Sequence, residues 1–278
     1  MDLKFSIVIP SYNCVSTVSK TIESILKQKF KSFEILIMDG LSSDGTIDNI
    51  KTYVDERLYF FSEKDNGIYD AMNKGIKIAK GEWIYVMGAD DVLYNDDVLL
   101  NMSTEISKTS ETVLYGNVKI KGDCPWGKDG DIYAGRFDLK KLLSQNISHQ
   151  AVFYKKTLFE ELGLFNVNYR INADWDFNLH CFSKLNFHYC DNIIALYAAG
   201  GISSVGVDAN YFHDRLTNIV IYFQNQLYKD EFIKDRYAFR KMILKKNKRL
   251  GLGVRMKLLF SVIILQIKAS KSRLTDKI

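Results

Sequence analysis

The chain of 278 residues has only two prolines, Pro10 and Pro125, which leaves no proline-rich hinge or linker. Its four cysteines (Cys14, Cys124, Cys181, Cys190) form no C-x-x-C pair, and its four histidines form no H-E-x-x-H. Those absences argue against a zinc site and a disulfide framework, and they predict reduced thiols in a cytosolic protein. The N-terminus has no basic-then-apolar leader, so secretion is not expected, and the sequons at Asn101 and Asn146 then carry no meaning for glycosylation. The first apolar run is not followed by G-x-G-x-x-G, which disfavours a dinucleotide-dependent oxidoreductase. The longest strongly apolar run near the C-terminus, residues 258–267 (LLFSVIILQI), is far short of the ~20 residues needed to span a bilayer. Internal repeats and low-complexity segments are also lacking.

Hydrophobic residues make up 47% of the chain and charged residues 26%, enough for a sizeable core. The net charge of +5 conceals an asymmetry. Residues 229–278 hold fifteen Lys or Arg against four Asp or Glu, a net +11, so residues 1–228 carry −6. An acidic body with a basic tail favours an anionic partner for the tail, and disfavours nucleic acid because the body repels phosphates.

Short β-branched or apolar runs predict strands at 5–9, 34–38, 58–61, 83–87 and 112–115. Between them, helical spacing appears at Val15, Val18, Ile22, Ile25 and Leu26, then at Ile47, Ile50 and Val54, capped by Ser43 or Asp44. Ile68, Met72, Ile76 and Ala79 mark a third helix, and a fourth starts at Asp96 or Asp97. Alternation of continuous apolar strands with helices predicts an α/β fold with a mainly parallel sheet covered on both faces. A composition break near residue 215 divides a domain of residues 1–215, with halves at 1–116 and 117–215, from a helical basic extension of residues 216–278.

Ligands in such sheets bind beyond the carboxyl ends of the strands. Each of the first four strands ends in small, polar or acidic residues: Pro10-Ser11-Tyr12-Asn13, Asp39-Gly40, Glu63-Lys64-Asp65-Asn66-Gly67 and Gly88-Ala89-Asp90-Asp91. Together they predict one acidic crevice. The adjacent carboxylates Asp90 and Asp91 either cap a following helix or need a counter-charge, and hard oxygen ligands suit Mg²⁺ or Mn²⁺ with a substrate diphosphate. In residues 65–75, Asp65 and Asn66 are candidate caps and Gly67 permits close backbone approach, so the segment is either a donor-binding turn or a polar helix start. Downstream, Asp174 and Asp176 stand at a helix start, where a carboxylate can act as cap or as base. His149 and Gln150 open a strand-like run, either as acceptor-side residues or, the favoured reading, as satisfied buried polar groups, and Gly200-Gly201-Ile202-Ser203 is either a phosphate-covering loop or a turn.

The ordered series FSIVIPSYN (5–13), IMDGLSSDGT (37–46), DNGIYDAMNKGIKIAKGEWIYVMGADD (65–91), HQAVFY (149–154) and ADWDF (173–177) resembles family 2 glycosyltransferases of the GT-A fold over roughly residues 4–205. The central stretch is similar to bacterial enzymes that build surface polysaccharide of the O-antigen, capsule or colanic-acid type. The resemblance implies inverting transfer from a nucleotide diphosphate sugar, with a UDP-sugar favoured, to a hydroxyl of a glycan or polyprenyl-linked acceptor. It implies that Pro10, Tyr12 and Asp39 line the nucleoside pocket, with Gly67 and Asp90 also on the donor. It further implies Asp91 as the metal ligand, Asp174 as general base with Asp176 as the alternative, and His149 and Gln150 on the acceptor side. Three positions depart from the family pattern: Gly88 replaces the first carboxylate of D-A-D-D, Asp39-Gly40-Leu41-Ser42 replaces D-D-G-S, and Ala173 replaces the acidic residue before the base.

Residues 236–257 interleave basic clusters with apolar residues. They read either as an interfacial segment on an anionic membrane leaflet or as a helix packed on the body. The first reading suits a peripheral protein on the inner face of the cell membrane. Two other functions compete. A sugar nucleotidyltransferase favours a glycine-rich loop with Arg and Lys after the first strand, and Ser11-Tyr12-Asn13 has neither. A non-catalytic nucleotide-binding scaffold predicts that Asp174→Asn changes nothing.

Overall fold

The computed structural model describes residues 3–124, 127–133, 135–201, 206–244 and 248–275. Strands β1 (Phe5–Ser11), β2 (Phe33–Asp39), β3 (Leu58–Ser62) and β4 (Trp83–Val86) are parallel, in the order β3-β2-β1-β4. Helices α1 (Val18–Leu26), α2 (Thr46–Lys51) and α3 (Ile68–Ile78) connect them. The chain continues through β5 (Val92–Leu93), α4 (Val98–Ser107), β6 (Val113–Lys121), β7 (Ile132–Tyr133), α5 (Leu139–Leu142), a 3₁₀ turn (His149–Ala151), β8 (Val152–Lys155), α6 (Thr157–Leu162), α7 (Ala173–Phe182) and β9 (His188–Ala198). It closes with α8 (Ala209–Tyr222), a 3₁₀ turn (Asp230–Asp235), α9 (Arg236–Leu244) and α10 (Leu252–Thr275).

Beyond β4 the sheet order is β8-β6-β9-β5. Strand β8 runs antiparallel to both β4 and β6, so β6 and β9 regain the direction of β4. Successive residues of a strand point to opposite faces. Accordingly Val8, Leu36 and Met38 enter one core with α3, α7 and α8, while Ile7, Ile9, Ile35 and Ile37 enter a second core with α1 and α4. This double covering matches the continuous apolar runs of β1, β2 and β4. Strand β3 differs, being an edge strand that alternates between half-buried and exposed residues.

Several boundaries differ from the sequence reading, each for a local reason. Strand β1 runs through Pro10 rather than stopping there. Val8 offers its carbonyl to Met87 on the β4 side. Two residues on, Pro10 turns its missing N–H to that same side, past the last β4 bond, so no ladder bond is lost. Helix α2 ends at Lys51, which leaves Val54 99% exposed instead of on the apolar face. Helix α4 begins at Asp97 without a carboxylate cap, because that side chain pairs with Lys29 at 2.8 Å.

The composition break at residue 215 falls inside α8. The tail packs on the body there: Phe232, Phe239, Leu250, Leu258 and Leu265 are buried in the same core as Phe223 and Leu227. Arg249 pins it further, through Nη1 to Asp214 at 2.8 Å and Nη2 to Asn218 Oδ1 at 2.7 Å. Body packing therefore accounts for one side of the tail. Among the described residues no helix is long and apolar enough to cross a membrane.

Candidate active site

The carboxyl ends of β1, β2, β3 and β4 open on one side of the sheet, and two left-handed residues brace the first two ends. Asn13 (φ 49°) and Leu41 (φ 63°) turn the chain sharply, and the loops lock through Asn13 N–H to Ser42 Oγ at 2.8 Å and Ser43 N–H to Asn13 Oδ1 at 2.9 Å. Pro10 is buried within β1, and Tyr12, two residues on, is 67% exposed. Asp39 is buried and receives the hydroxyls of Ser11, Ser42 and Ser62 together with the Ser42 N–H. Those four donors fill the carboxylate's acceptor positions. A tight hollow beside Asp39 is lined by Phe61, Glu63, Asp65 and Lys74, and a larger cleft of about 530 Å³ continues from it along β3 and α3. Lys74, which bridges Glu63 at 3.1 Å and Asp70 at 3.9 Å, was not picked out by the sequence reading.

Asp65 lies over Gly40: a Cβ at Gly40 would fall 2.5 Å from Asp65 Oδ2 and 3.4 Å from the Tyr12 ring. Gly67 (φ 113°) then turns the chain into α3, with its N–H on Asp65 Oδ1 at 2.9 Å and open space over its Cα. Asp70 receives the Asn66 N–H at 3.0 Å. Thus Asp65 and Asp70 hold the N–H groups of Gly67 and Asn66 just before α3, neither Asp65 nor Asn66 caps the helix, and the same turn borders the hollow.

Asp90 and Asp91 cap no helix, since β5 follows them and pairs with β9. Asp90 is exposed; Asp91 is buried, accepting N–H bonds from Gly88 and Ala198 at 3.2 Å each. Burial first, and the charge of Asp90 second, raise the Asp91 carboxyl to about 7. Gln150 is buried beside Asp91, and its side-chain contact works against that rise. Its side-chain oxygen receives the Ser148 hydroxyl at 2.6 Å, and its carbonyl receives the Tyr85 hydroxyl at 2.9 Å. A Cβ at Gly88 would stand 2.7 Å from Asp90 Oδ1 and 2.8 Å from Asp91 Oδ2, so in this arrangement the position has no room for a third carboxylate. Among the described residues no three His, Cys, Asp or Glu side chains converge as a metal cluster. The pair nonetheless fits a hard cation that takes its other ligands from diphosphate and water. Such a charge offsets the repulsion that lifts Asp91. Gly201 comes near Asp90, with its Cβ position 3.7 Å from Oδ2; Ile202 and Ser203 lie outside the described residues.

Asp174 occupies the first turn of α7 and is buried. Its Oδ1 receives the Tyr69 hydroxyl at 2.6 Å and its Oδ2 the Asn146 amide at 2.7 Å. Asn146 is held by Asn178 at 3.0 Å, and Asn178 by the Tyr154 hydroxyl at 2.7 Å. The loop ahead of α7 is fixed by Asp208, which accepts the Ile171 N–H at 2.8 Å. Burial, then the charge of Asp174, holds the Tyr69 hydroxyl well above its usual range, so it stays a donor. Asp176 faces the other way: Asn218 and Tyr222 donate to it at 2.8 and 2.9 Å, and it belongs to the network that anchors α8 and Arg249. Those contacts tie Asp176 to the junction between body and tail.

His149 stands between the two carboxylate sites. Burial lowers its pKa while the charges of Asp174 and Asp90 pull the other way, and its Nε2 is shielded without a partner. Tyr69 and Asn146 were missed as partners of Asp174, because these contacts arise only when α3 and the 146–148 loop meet α7.

Residues 6–163 match the family model described as Glycosyl transferase family 2. The PGL/p-HBAD biosynthesis glycosyltransferase of Mycobacterium bovis is 38% identical over 216 residues, 74% of this chain and 82% of that relative. A glycosyltransferase of Rickettsia conorii is 29% identical, over 83% of this chain and 39% of its own length. Among solved structures, S. aureus TarS with UDP-GlcNAc superposes with a TM-score of 0.65 at 18% identity, covering 93% of this chain and 79% of that one. A Pyrobaculum calidifontis mannosyltransferase with GDP-Man and Mn²⁺ gives 0.53 at 14%, covering 95% and 86%. The sheet described above is thus the GT-A sheet of those transferases. With more than half its length in the family match and a 38% identical relative along most of its course, the chain belongs to glycosyl transferase family 2 and is a glycosyltransferase.

Proposed function

We propose that the chain is an inverting transferase that moves a sugar from a UDP-sugar to a hydroxyl of a glycan or polyprenyl-linked acceptor in surface-polysaccharide synthesis. In this reading it works at the cytoplasmic face of the cell membrane, reached through the basic extension of residues 216–278. The observation that carries the reading is that two carboxylate groups, Asp90 and Asp91 beyond the end of β4 and Asp174 in the first turn of α7, lie near enough to His149 for charges of both to act on it. Inversion needs a base on one side of the anomeric carbon and charge neutralisation on the other. TarS bound to UDP and UDP-GlcNAc supports a uridine donor.

The base ring would lie on Tyr12 beside Pro10 and Asp39, and Asp39 works by holding Ser11, Ser42 and Ser62 in place. Gly67 lets the donor approach the start of α3, and Asp90 faces the ribose-diphosphate. Asp91 would hold Mn²⁺ or Mg²⁺, which when bound supplies neutralisation of the departing diphosphate. Asp174 takes the proton from the acceptor hydroxyl while that oxygen bonds to the anomeric carbon and the carbon–diphosphate bond breaks. Two of the four acceptor positions of its carboxylate remain open for this, beyond those used by Tyr69 and Asn146. His149 borders the acceptor.

A thermal-shift panel of UDP, GDP and dTDP, each with and without MnCl₂, tests the donor side. The expected result is a manganese-dependent rise in melting temperature, largest for UDP. No metal-dependent rise with any of the three overturns it.

A further inference from the structure

On α10 the face that packs on the body and the face that looks outward are both apolar. Leu258, Ser261, Leu265 and Ala269 are buried, while Leu252, Met256, Leu259, Phe260, Ile263 and Ile267 are all more than 40% exposed. At 3.6 residues per turn the six exposed side chains fall within an arc of roughly 100°, opposite the buried four. The stripe is about 23 Å long at 1.5 Å per residue and contains no charge. Arg255 and Lys257 fall at its two margins, where long basic side chains can lie along an apolar surface and reach its polar border. Helix α9, packed against α10, exposes Tyr237 and Leu244 beside Arg240 and Lys241.

We propose that the outer face of α10 lies in the plane of an anionic lipid bilayer, with the six apolar side chains below the headgroups and the basic margins among the phosphates. The inference deepens the membrane setting proposed above by naming the surface that makes the contact. Charge decides the occupant. A second copy of this chain would bring a second tail of net +11 against the first, and like charge opposes that pairing; an anionic leaflet is complementary to it. The geometry is that of a helix lying on the membrane, since its other face is already committed to the protein core.

The test is flotation of the full chain with vesicles of phosphatidylcholine, alone or mixed with phosphatidylglycerol. The expected result is binding to the mixed vesicles, weakened by salt, that drops roughly five-fold or more in Phe260→Ser/Ile263→Ser and partly in Lys248→Gln/Lys257→Gln. Because the substituted apolar residues are exposed, the double variant should keep its melting temperature and its UDP–manganese response. Undiminished flotation of Phe260→Ser/Ile263→Ser overturns the proposal. So does a vesicle-free dimer that this variant dissolves into monomers. If neither protein responds to nucleotide but only the wild type floats, the donor reading fails and the bilayer contact stands.

Discussion

Asp91 and Asp174 are both buried carboxylates in one crevice, and they are held in opposite ways. Asp91 has a second carboxylate beside it and its acid form is favoured up to about 7. Asp174 has two uncharged donors, one on each oxygen. In the proposed reading the first would gain a positive charge from a bound metal, while the second is oriented by donors of the chain itself. The lesson is that two carboxylates buried alike meet different partners: at Asp91 the charge of Asp90 adds to the effect of burial, whereas Asp174 is met by neutral donors.

The largest expected effect separates the two. Asp174→Asn should lower kcat by ~10²–10⁴-fold while leaving the UDP–manganese thermal shift intact. Asp91→Asn should abolish the manganese dependence of that shift. Equal loss of nucleotide response in both variants breaks the comparison. Next comes pH. Between about pH 4 and 7 the folded, metal-free chain keeps a proton on Asp91 that the unfolded chain has lost, so stability falls as pH rises through that window. Melting scans in EDTA should show this decline, Asp91→Asn should flatten it, and MnCl₂ at pH 7.5 should reverse it. The hydrogen bonds to Asp174 give a smaller change: Tyr69→Phe and Asn146→Ala should each cost about 1.5–3 kcal/mol in the activation barrier, roughly ten-fold or more in kcat, with the donor KM unchanged. The smallest effect on turnover is expected for Asp176→Asn, which should leave kcat within a few-fold but lower the melting temperature, since it loosens the Asn218–Tyr222 anchor.

The strand ends were legible because each apolar run stops at a fixed edge of a parallel sheet, and that edge is where Asp39, Asp65, Asp90 and Asp91 emerge. What could not be read was convergence from afar. Asn146 stood out only as a sequon, and its contact with Asp174 depends on a loop 28 residues upstream meeting α7. Gly88 read as a missing carboxylate, and the closeness of the Asp90 and Asp91 carboxylate oxygens to its Cβ position is invisible in one dimension. The antiparallel β8 between β4 and β6 likewise has no periodicity that distinguishes it from a parallel strand. For the tail, both alternatives rested on one apolar pattern, and only the three-dimensional packing showed that α10 has an apolar face to spare after covering the core.

The first turn of α3 has a consequence for the order of events. Asp65 rests on Gly40 beside Tyr12, and four residues later Tyr69 grips Asp174. In the proposed reading, a planar ring arriving at Tyr12 would meet the same short stretch that leads to Tyr69 and Asp174. Loading of one substrate and readiness toward the other would then be linked through the chain from Asp65 to Tyr69, which enters α3 at Ile68, with no domain movement needed to synchronise them.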